Sequence, residues 1–489
     1  MGLQITLVEK IEVKIKIERS DNMVEMWQNQ IEALDFAMRH PSVMLNMDMG
    51  TGKTRVAIET AFARCDIKKV LVVCPKAVIP VWRNNLTKFV KDKCWACWDE
   101  TKGTVPNKTK SLQSWVEDSN DKSNKQVEFI VVNYDIVWRS PIGPLLRKIN
   151  FDMIILDESH RIKAAGSKVS KFLFLLGKPV KYKMCLSGTP MANSPLDIYG
   201  QYRFLDSTIF GTRFDVFRNE YAILEGPERN FIVGFKNLQQ LNNKFQSIAY
   251  TCKMSNISDK LKLPEKLPPY ILNGSLSPGD TRVIKQLRKE FIAECKDGFI
   301  VLENILNLLL REQQITSGFT VIKENPGDPE TKVELNSVKK NLFINYLDMI
   351  PESEPVVVFY TFKHDAEVLR SVCDELNRMV FELSGSINEL SAWQEYEFGG
   401  ILLVQIQSGA EGVDMTKSRR AVYFNLPQSL ALYEQSMARL YRPGQTEKVQ
   451  FTYLILKDTI DEKIFECLTH KKSLIEDIQS GGIDLDYLK

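Results

Sequence analysis

The chain has 489 residues, more than one ordinary hydrophobic core accommodates, so two or three domains are expected. Its 44% hydrophobic and 26% charged residues exclude a fibrous, disordered or membrane-embedded chain, and no apolar run approaches the roughly eighteen residues of a transmembrane helix. The 64 Lys and Arg nearly balance 62 Asp and Glu, and a net charge of +2 leaves nucleic-acid binding to a local basic groove rather than to the whole surface. Met1 to Ser20 mixes Lys and Glu with apolar residues and lacks a signal-peptide core, so a cytoplasmic location is expected, nucleoid-associated or in host cytoplasm for a microbial or viral source. Nine cysteines without a framework read as reduced thiols; the close pair Cys94 and Cys97 lacks the second pair that a zinc site needs.

In chain order, Ile11, Val13, Ile15 and Ile17 alternate with charged residues, giving residues 1–22 the pattern of a strand-like extension. Asn46 to Thr54 then reads N-M-D-M-G-T-G-K-T, a phosphate-gripping loop opening a helix. Gly50, Thr51 and Gly52 let backbone N–H groups approach phosphate oxygens, Lys53 neutralises the β- and γ-phosphates, and Thr54 offers a hydroxyl to Mg²⁺. Met47 stands where the usual pattern has its first glycine. The apolar runs Val70 to Cys74, Phe129 to Val132, Met153 to Leu156 and Met184 to Leu186, separated by helix-length spacers, read as parallel strands. The same grammar returns in Val356 to Tyr360, Ile401 to Val404 and Ala421 to Phe424, which implies a second α/β lobe. We expect lobe 1 over residues 23–260 with a helical insertion at about 207–260, and lobe 2 over 261–489 with another at about 278–335. Phe204, Phe210, Phe214 and Phe217 read as core of the first insertion rather than a base-stacking platform.

Two further constellations carry chemistry. Asp157 and Glu158 follow the apolar run Met153 to Leu156. Alone the pair is a solvated acidic turn, but at the end of a buried strand about a hundred residues after a phosphate loop it suits an NTPase. Asp157 is the expected Mg²⁺ ligand, and Glu158 polarises the attacking water. Gln435, Arg439 and Arg442, at i, i+4 and i+7, share one face if the segment is helical, and two guanidiniums can clamp charge developing on a γ-phosphate.

Asp157 to Lys163 (D-E-S-H-R-I-K), Leu186 to Pro190 (L-S-G-T-P) and Gln435 to Gln445 (Q-S-M-A-R-L-Y-R-P-G-Q) together resemble the Swi/Snf family of superfamily-two helicase-like ATPases. The resemblance runs in family order from Trp27-Gln28-Asn29-Gln30 through Cys74-Pro75, Trp82 and Asn133-Tyr134, and spans nearly the whole chain. It implies an α/β fold of two RecA-like parallel-sheet lobes with helical insertions. ATP would lie between the lobes, so that hydrolysis needs their closure, and double-stranded DNA would cross both. Gln30 then matches the adenine-reading glutamine, and Arg439 and Arg442 the arginine fingers. Ser187 and Thr189 fall in the turn that couples nucleotide state to DNA grip. Ser408 to Asp414 matches a motif lining nucleotide cleft and DNA groove, with Gly412 and Asp414 toward ATP; Ala410 and Asp414 depart from the commoner Gly and Asn. Lys76, Asn133, Lys163, Thr361, Lys363 and Ser408 lie in DNA-facing motifs, implying sequence-independent phosphate contacts. The expected activity is an ATP-dependent, DNA-stimulated translocase that does not obligatorily separate strands, with ATP and Mg²⁺ as cofactors. A fork- or branch-migrating helicase on branched DNA, and a nucleotide-gated switch for a protein partner, remain alternatives.

Overall fold

Short runs of Val, Ile and Leu joined by helices bury both faces only when the strands lie parallel under two helical layers. The chain builds this arrangement twice. The computed structural model describes residues 25–90, 95–100, 104–121, 127–191, 194–225, 231–254, 257, 263–295, 302–322, 331–407 and 413–470. The strand expected over Ile11 to Ile17 lies outside them. The chain divides into two compact units between positions 261 and 262.

In the first unit the strands are β1 (Ser42–Met47), β2 (Lys69–Cys74), β3 (Trp95–Asp99), β4 (Val127–Asn133), β5 (Met153–Asp157), β6 (Tyr182–Ser187), β7 (Ala222–Glu225), β8 (Phe231–Phe235) and β9 (Ala249–Cys252). Seven of them form a parallel sheet in the order β3-β4-β2-β5-β6-β1-β9, while β7 and β8 pair antiparallel. Alternate residues feed two cores: Leu71, Val73, Ile154 and Leu156 pack on one face, Val70, Val72, Met153 and Ile155 on the other.

The stretch 207–260 is not purely helical, which corrects the expectation. Helices Ser207–Phe210, Phe214–Tyr221 and Leu238–Gln246 are interrupted by the β7–β8 hairpin, and β9 is a strand of the main sheet, with Met44 opposite Ala249. Four residues reading A-Y-T-C are too short and mixed to stand out in sequence. Phe204, Phe210 and Phe217 are buried as expected, the last two packing in tilted and edge-to-face contacts with Tyr199, Tyr202 and Tyr221, but Phe214 is 42% exposed.

In the second unit the strands are β10 (Tyr270–Gly274), β11 (Phe319–Ile322), β12 (Thr331–Glu334), β13 (Val356–Tyr360), β14 (Val380–Leu383), β15 (Ile401–Gln405), β16 (Arg420–Tyr423) and β17 (Gln450–Leu456). Six form a parallel sheet in the order β10-β17-β16-β13-β15-β14. The expected helical insertion at 278–335 contains helices Pro278–Cys295 and Leu302–Thr316, but it ends in the antiparallel pair β11–β12.

A buried polar network ties this unit together near the carboxyl ends of β13, β16 and β17. The Lys339 ammonium, 0% exposed, lies 2.9 Å from Asp461 Oδ2 and donates to Asn425 Oδ1 at 2.8 Å. Asn425 Nδ2 in turn donates to Asp365 Oδ2 at 2.6 Å, which also accepts the Phe362 N–H at 2.7 Å. Burial pushes the Asp365 carboxyl up to about 6, against the backbone donors and Lys339 that favour its charge. The unfolded value is about 3.9, so this group favours the fold fully below that pH, and its contribution is lost as pH rises through about 6. Asp365→Asn, which cannot ionise, is therefore expected to gain stability relative to wild type between about pH 4 and pH 6.5. Denaturant melts across that range check this; a difference independent of pH rules it out.

No helix among the described residues is long and apolar enough to cross a membrane. Cys94 lies outside the described residues, and burial raises the Cys97 thiol to about 12, which makes it a poor thiolate ligand.

Candidate nucleotide site

β1 ends at Met47, and six residues later the helix Lys53–Ala63 begins, burying Val56, Ala57, Ile58 and Ala61 against the sheet. Gly50 and Gly52 have φ of 77° and 90°, a region open to glycine and strained for other residues. Space excludes a side chain at Gly52 as well: a Cβ there would lie 2.0 Å from Gln30 Nε2. The loop is braced from several sides. Thr51 Oγ1 donates to Asp48 O at 2.7 Å, and Asn29 Nδ2 and Gln30 Nε2 donate to Thr51 O at 3.2 and 3.3 Å. Asp48 N–H donates to Cys252 O at 2.9 Å, and Asp48 Oδ2 accepts the Met254 N–H at 2.8 Å, so the segment at the end of β9 also holds the loop. Gln30 Oε1 accepts the Trp27 N–H at 3.0 Å. Gln30 thus stands at the loop, but its buried carboxamide is bonded to the protein at both ends, unlike a group open to a base. Lys53 Nζ is held inside the loop, donating to Met47 O at 2.7 Å and Asp48 O at 3.3 Å. Half-buried Thr54 follows in the first helical turn.

The carboxylates sit at the end of β5, separated from β1 in the sheet by β6 alone, so loop and acids share the carboxyl edge of the sheet. Asp157 is buried: Trp82 Nε1 donates to its Oδ2 at 2.9 Å, and the Glu158 N–H to its Oδ1 at 3.1 Å. The Tyr134 hydroxyl donates to its backbone carbonyl at 2.8 Å. Burial first, then the neighbouring Glu158 charge, raises the Asp157 carboxyl to about 6, while the Trp82 bond and the Lys53 charge pull it down. Glu158 has φ 51° and ψ 53°, a left-handed conformation rare outside glycine, Asn and Asp. Its Oε2 lies 3.4 Å from His160 Nδ1. Trp82 is the residue whose role sequence reasoning missed: its place in the family order was visible, its indole bond to Asp157 was not.

In the second unit, Gln435 and Arg439 lie buried on the helix Leu430–Leu440. Arg442 does not share that helix, which corrects the expectation of one face for all three. The helix stops two residues earlier, ahead of Pro443 and of Gly444 at φ 105°. Arg442 Nη1 donates to Val413 O at 3.2 Å and lies 3.9 Å from Asp414 Oδ2. Asp414 Oδ1 accepts from the Thr416 N–H and hydroxyl at 2.9 and 2.6 Å, so the residue shapes its own turn. Gly412 and Ser408 lie outside the described residues.

The family model of the SNF2-related domain matches residues 17–318. The chain belongs to the SNF2-related family. It is a helicase-like ATPase, and its two parallel α/β units are the RecA-like lobes of that fold. The chain is 22% identical to the human "DNA repair and recombination protein RAD54-like" over 89% of its own length and 62% of that protein's. It is 23% identical to the "Uncharacterized ATP-dependent helicase MG018" of Mycoplasma genitalium, over 88% of this chain and 40% of that one. The chain therefore spans less than two thirds of the length of these relatives. A solved structure, "Sulfolobus solfataricus SWI2/SNF2 ATPase core in complex with dsDNA", aligns over 95% of both chains at 22% identity and a TM-score of 0.43.

The remaining residues expected to act in this SNF2-related chain fare unequally. Ser187 is buried, its Oγ accepting the Thr189 N–H at 3.1 Å, and the buried Thr189 Oγ1 has no hydrogen-bond partner. Lys76 and Lys363 are exposed. Half-exposed Lys163 lies 3.3 Å from Asp197 Oδ2. Thr361 is half-buried, its Oγ1 covered. Asn133 departs from the expectation: it is 4% exposed, its Nδ2 donates to Glu100 Oε1 at 2.8 Å, and its Oδ1 accepts the Asp135 and Ile136 N–H groups at 2.8 and 3.1 Å. That carboxamide shapes the turn after β4 and is bonded within the protein at both ends.

Proposed function

We propose that this SNF2-related ATPase is a DNA-stimulated translocase that moves along double-stranded DNA without obligatory strand separation, with Mg²⁺ as cofactor. The observation that carries the nucleotide half is that the loop holding Lys53 and the carboxylate Asp157 stand at one edge of the sheet, with a Gly52 that admits no Cβ. The donor set fits a Mg²⁺-bound triphosphate. Asp157 is a buried carboxylate held above its usual range, which a cation would return to the charged form, and Thr54 supplies a hydroxyl. Bound there, Mg²⁺ would neutralise charge on the β- and γ-phosphates. Lys53 shares that neutralisation, and Glu158 orients and deprotonates the attacking water. The DNA half is supported by the exposed lysines Lys76 and Lys363 and by the name of the human relative. Partner proteins could direct the motor to its sites.

Arg439 and Arg442 are assigned to charge developing on the γ-phosphate. Arg442→Ala is then expected to lower kcat by about 10²- to 10³-fold with little change in nucleotide affinity. Stopped-flow nucleotide binding set beside steady-state rates checks this, and equal losses in both speak against the assignment. The function itself is tested by ATP hydrolysis at fixed salt without nucleic acid and with single-stranded DNA, duplex DNA, forks or RNA. Stimulation by duplex, rising with its length, is the expected result. Preference for forks or single strands points to a strand-separating or branch-migrating helicase, and no stimulation to a protein-directed switch.

A further inference from the structure

Resting on the DNA-stimulated reading above, we propose that Gln201 is a positioning residue that passes the state of the Ser187 to Pro190 turn to Glu158. Gln201 lies on the helix Ile198–Leu205 and is 0% exposed. Its carboxamide joins two segments that belong to different strand ends. Oε1 accepts the Ser159 hydroxyl at 2.7 Å, directly after Glu158, and Nε2 donates to Pro190 O at 2.7 Å, the last residue of the turn. Nε2 also donates to Asp197 O at 3.0 Å, at the residue that precedes its own helix. One uncharged side chain therefore accepts from the acid-bearing loop and donates to the coupling turn and to Asp197 O, the two-donor, one-acceptor pattern of a carboxamide.

The helix carrying Gln201 is seated too closely to slide independently. A Cβ on Gly200 would fall 2.1 Å from Ile162 O and 2.7 Å from Lys163 O, so the helix rests directly on the backbone that follows the acids. Arg203 Nη2 donates to Ala165 O at 2.9 Å, extending that seat. At the far end Ser42 Oγ donates to Leu205 O at 2.8 Å, linking the helix to the start of β1, the strand that bears the phosphate loop. Lys163, expected near DNA, pairs with Asp197 at the beginning of the same helix. A displacement of the turn must either carry Gln201, and with it Ser159, or leave a buried amide donor unsatisfied. The stiff connection favours the first, so strain from the turn arrives one residue from Glu158.

Gln201→Met keeps length and burial but removes all three bonds; Ser159→Ala removes one and leaves the Pro190 bond in place. ATP turnover by the full chain is measured with and without a saturating duplex, together with KM for ATP. The expected result for Gln201→Met is basal turnover within about twofold of wild type, an unchanged KM, and a loss of about tenfold or more in the ratio of stimulated to basal kcat. Ser159→Ala is expected to lower the same ratio by a smaller factor, and the double variant to be no worse than Gln201→Met, because both act on one connection. A wild-type stimulation ratio retained by both single variants overturns the proposal, as does a fall of basal and stimulated rates in equal proportion, which would mark a purely structural role. Should Gln201→Met fail to fold, as a thermal melt would reveal, the ratio for Ser159→Ala decides. A wild-type chain that no duplex stimulates removes the reading on which the proposal rests, an outcome visible before any variant is made.

Discussion

Lys53→Ala protein is expected to hydrolyse ATP about 10²- to 10³-fold more slowly than wild type while keeping its fold, and Glu158→Gln to lose a comparable factor. The two should fail for different reasons. Lys53 donates to Met47 O and Asp48 O, so its removal takes both a positive charge and a brace from the loop, and nucleotide affinity should fall along with kcat. Losing two backbone-directed bonds costs stability on the order of 1–3 kcal/mol, an effect confined to one loop of the first unit. Glu158→Gln preserves size and the left-handed turn at φ 51° while removing the proton acceptor, so kcat should fall with nucleotide affinity retained. Steady-state hydrolysis with a fluorescent nucleotide titration distinguishes the two, and normal hydrolysis by either variant refutes the site.

The largest stability effect is expected at Lys339, which has no part in the proposed chemistry. Its ammonium and the Asp461 carboxylate are both buried, and removing one partner strands the other charge. Lys339→Met should cost the second unit about 3–5 kcal/mol, whereas pairing it with Asp461→Leu should recover most of the loss, since an apolar pair of similar volume replaces an ion pair. Urea unfolding of wild type, single and double variants measures this. A single variant that loses less than about 1 kcal/mol would mean that the Thr316 hydroxyl and the Leu456 N–H, which donate to the Asp461 carboxylate, already satisfy it without the lysine.

Legibility in the sequence followed physical range. β2, β4, β5, β13, β15 and β16 were readable because each carries a contiguous run of apolar residues buried on both faces. β3, β9 and β14 were not, since W-A-C-W-D, A-Y-T-C and V-F-E-L owe their pairing to neighbouring strands rather than to their own composition. The same divide runs through the site. Gly50 to Thr54 and Asp157-Glu158 are contiguous, so their chemistry is written in adjacent letters. The bonds that set their geometry span 75 residues from Trp82 to Asp157 and 42 from Ser159 to Gln201, distances at which only the fold reveals a partner. Arg442 was misjudged for a local reason: helical spacing was extended past Leu440 into a segment that Pro443 and Gly444 end.

The position of β9 bears on how this protein is made. Strand β1, which leads into the phosphate loop, lies between β6 and β9, and β9 is completed only at Cys252, with Met254 just beyond it bonded to Asp48. Until translation has passed Cys252, β1 is an unpaired edge on its β9 side, with one row of backbone donors and acceptors open to any other strand. A growing chain or an engineered fragment that stops after Leu205 would carry every nucleotide motif of the first unit, yet leave the loop unanchored on one side and the sheet exposed to aggregation.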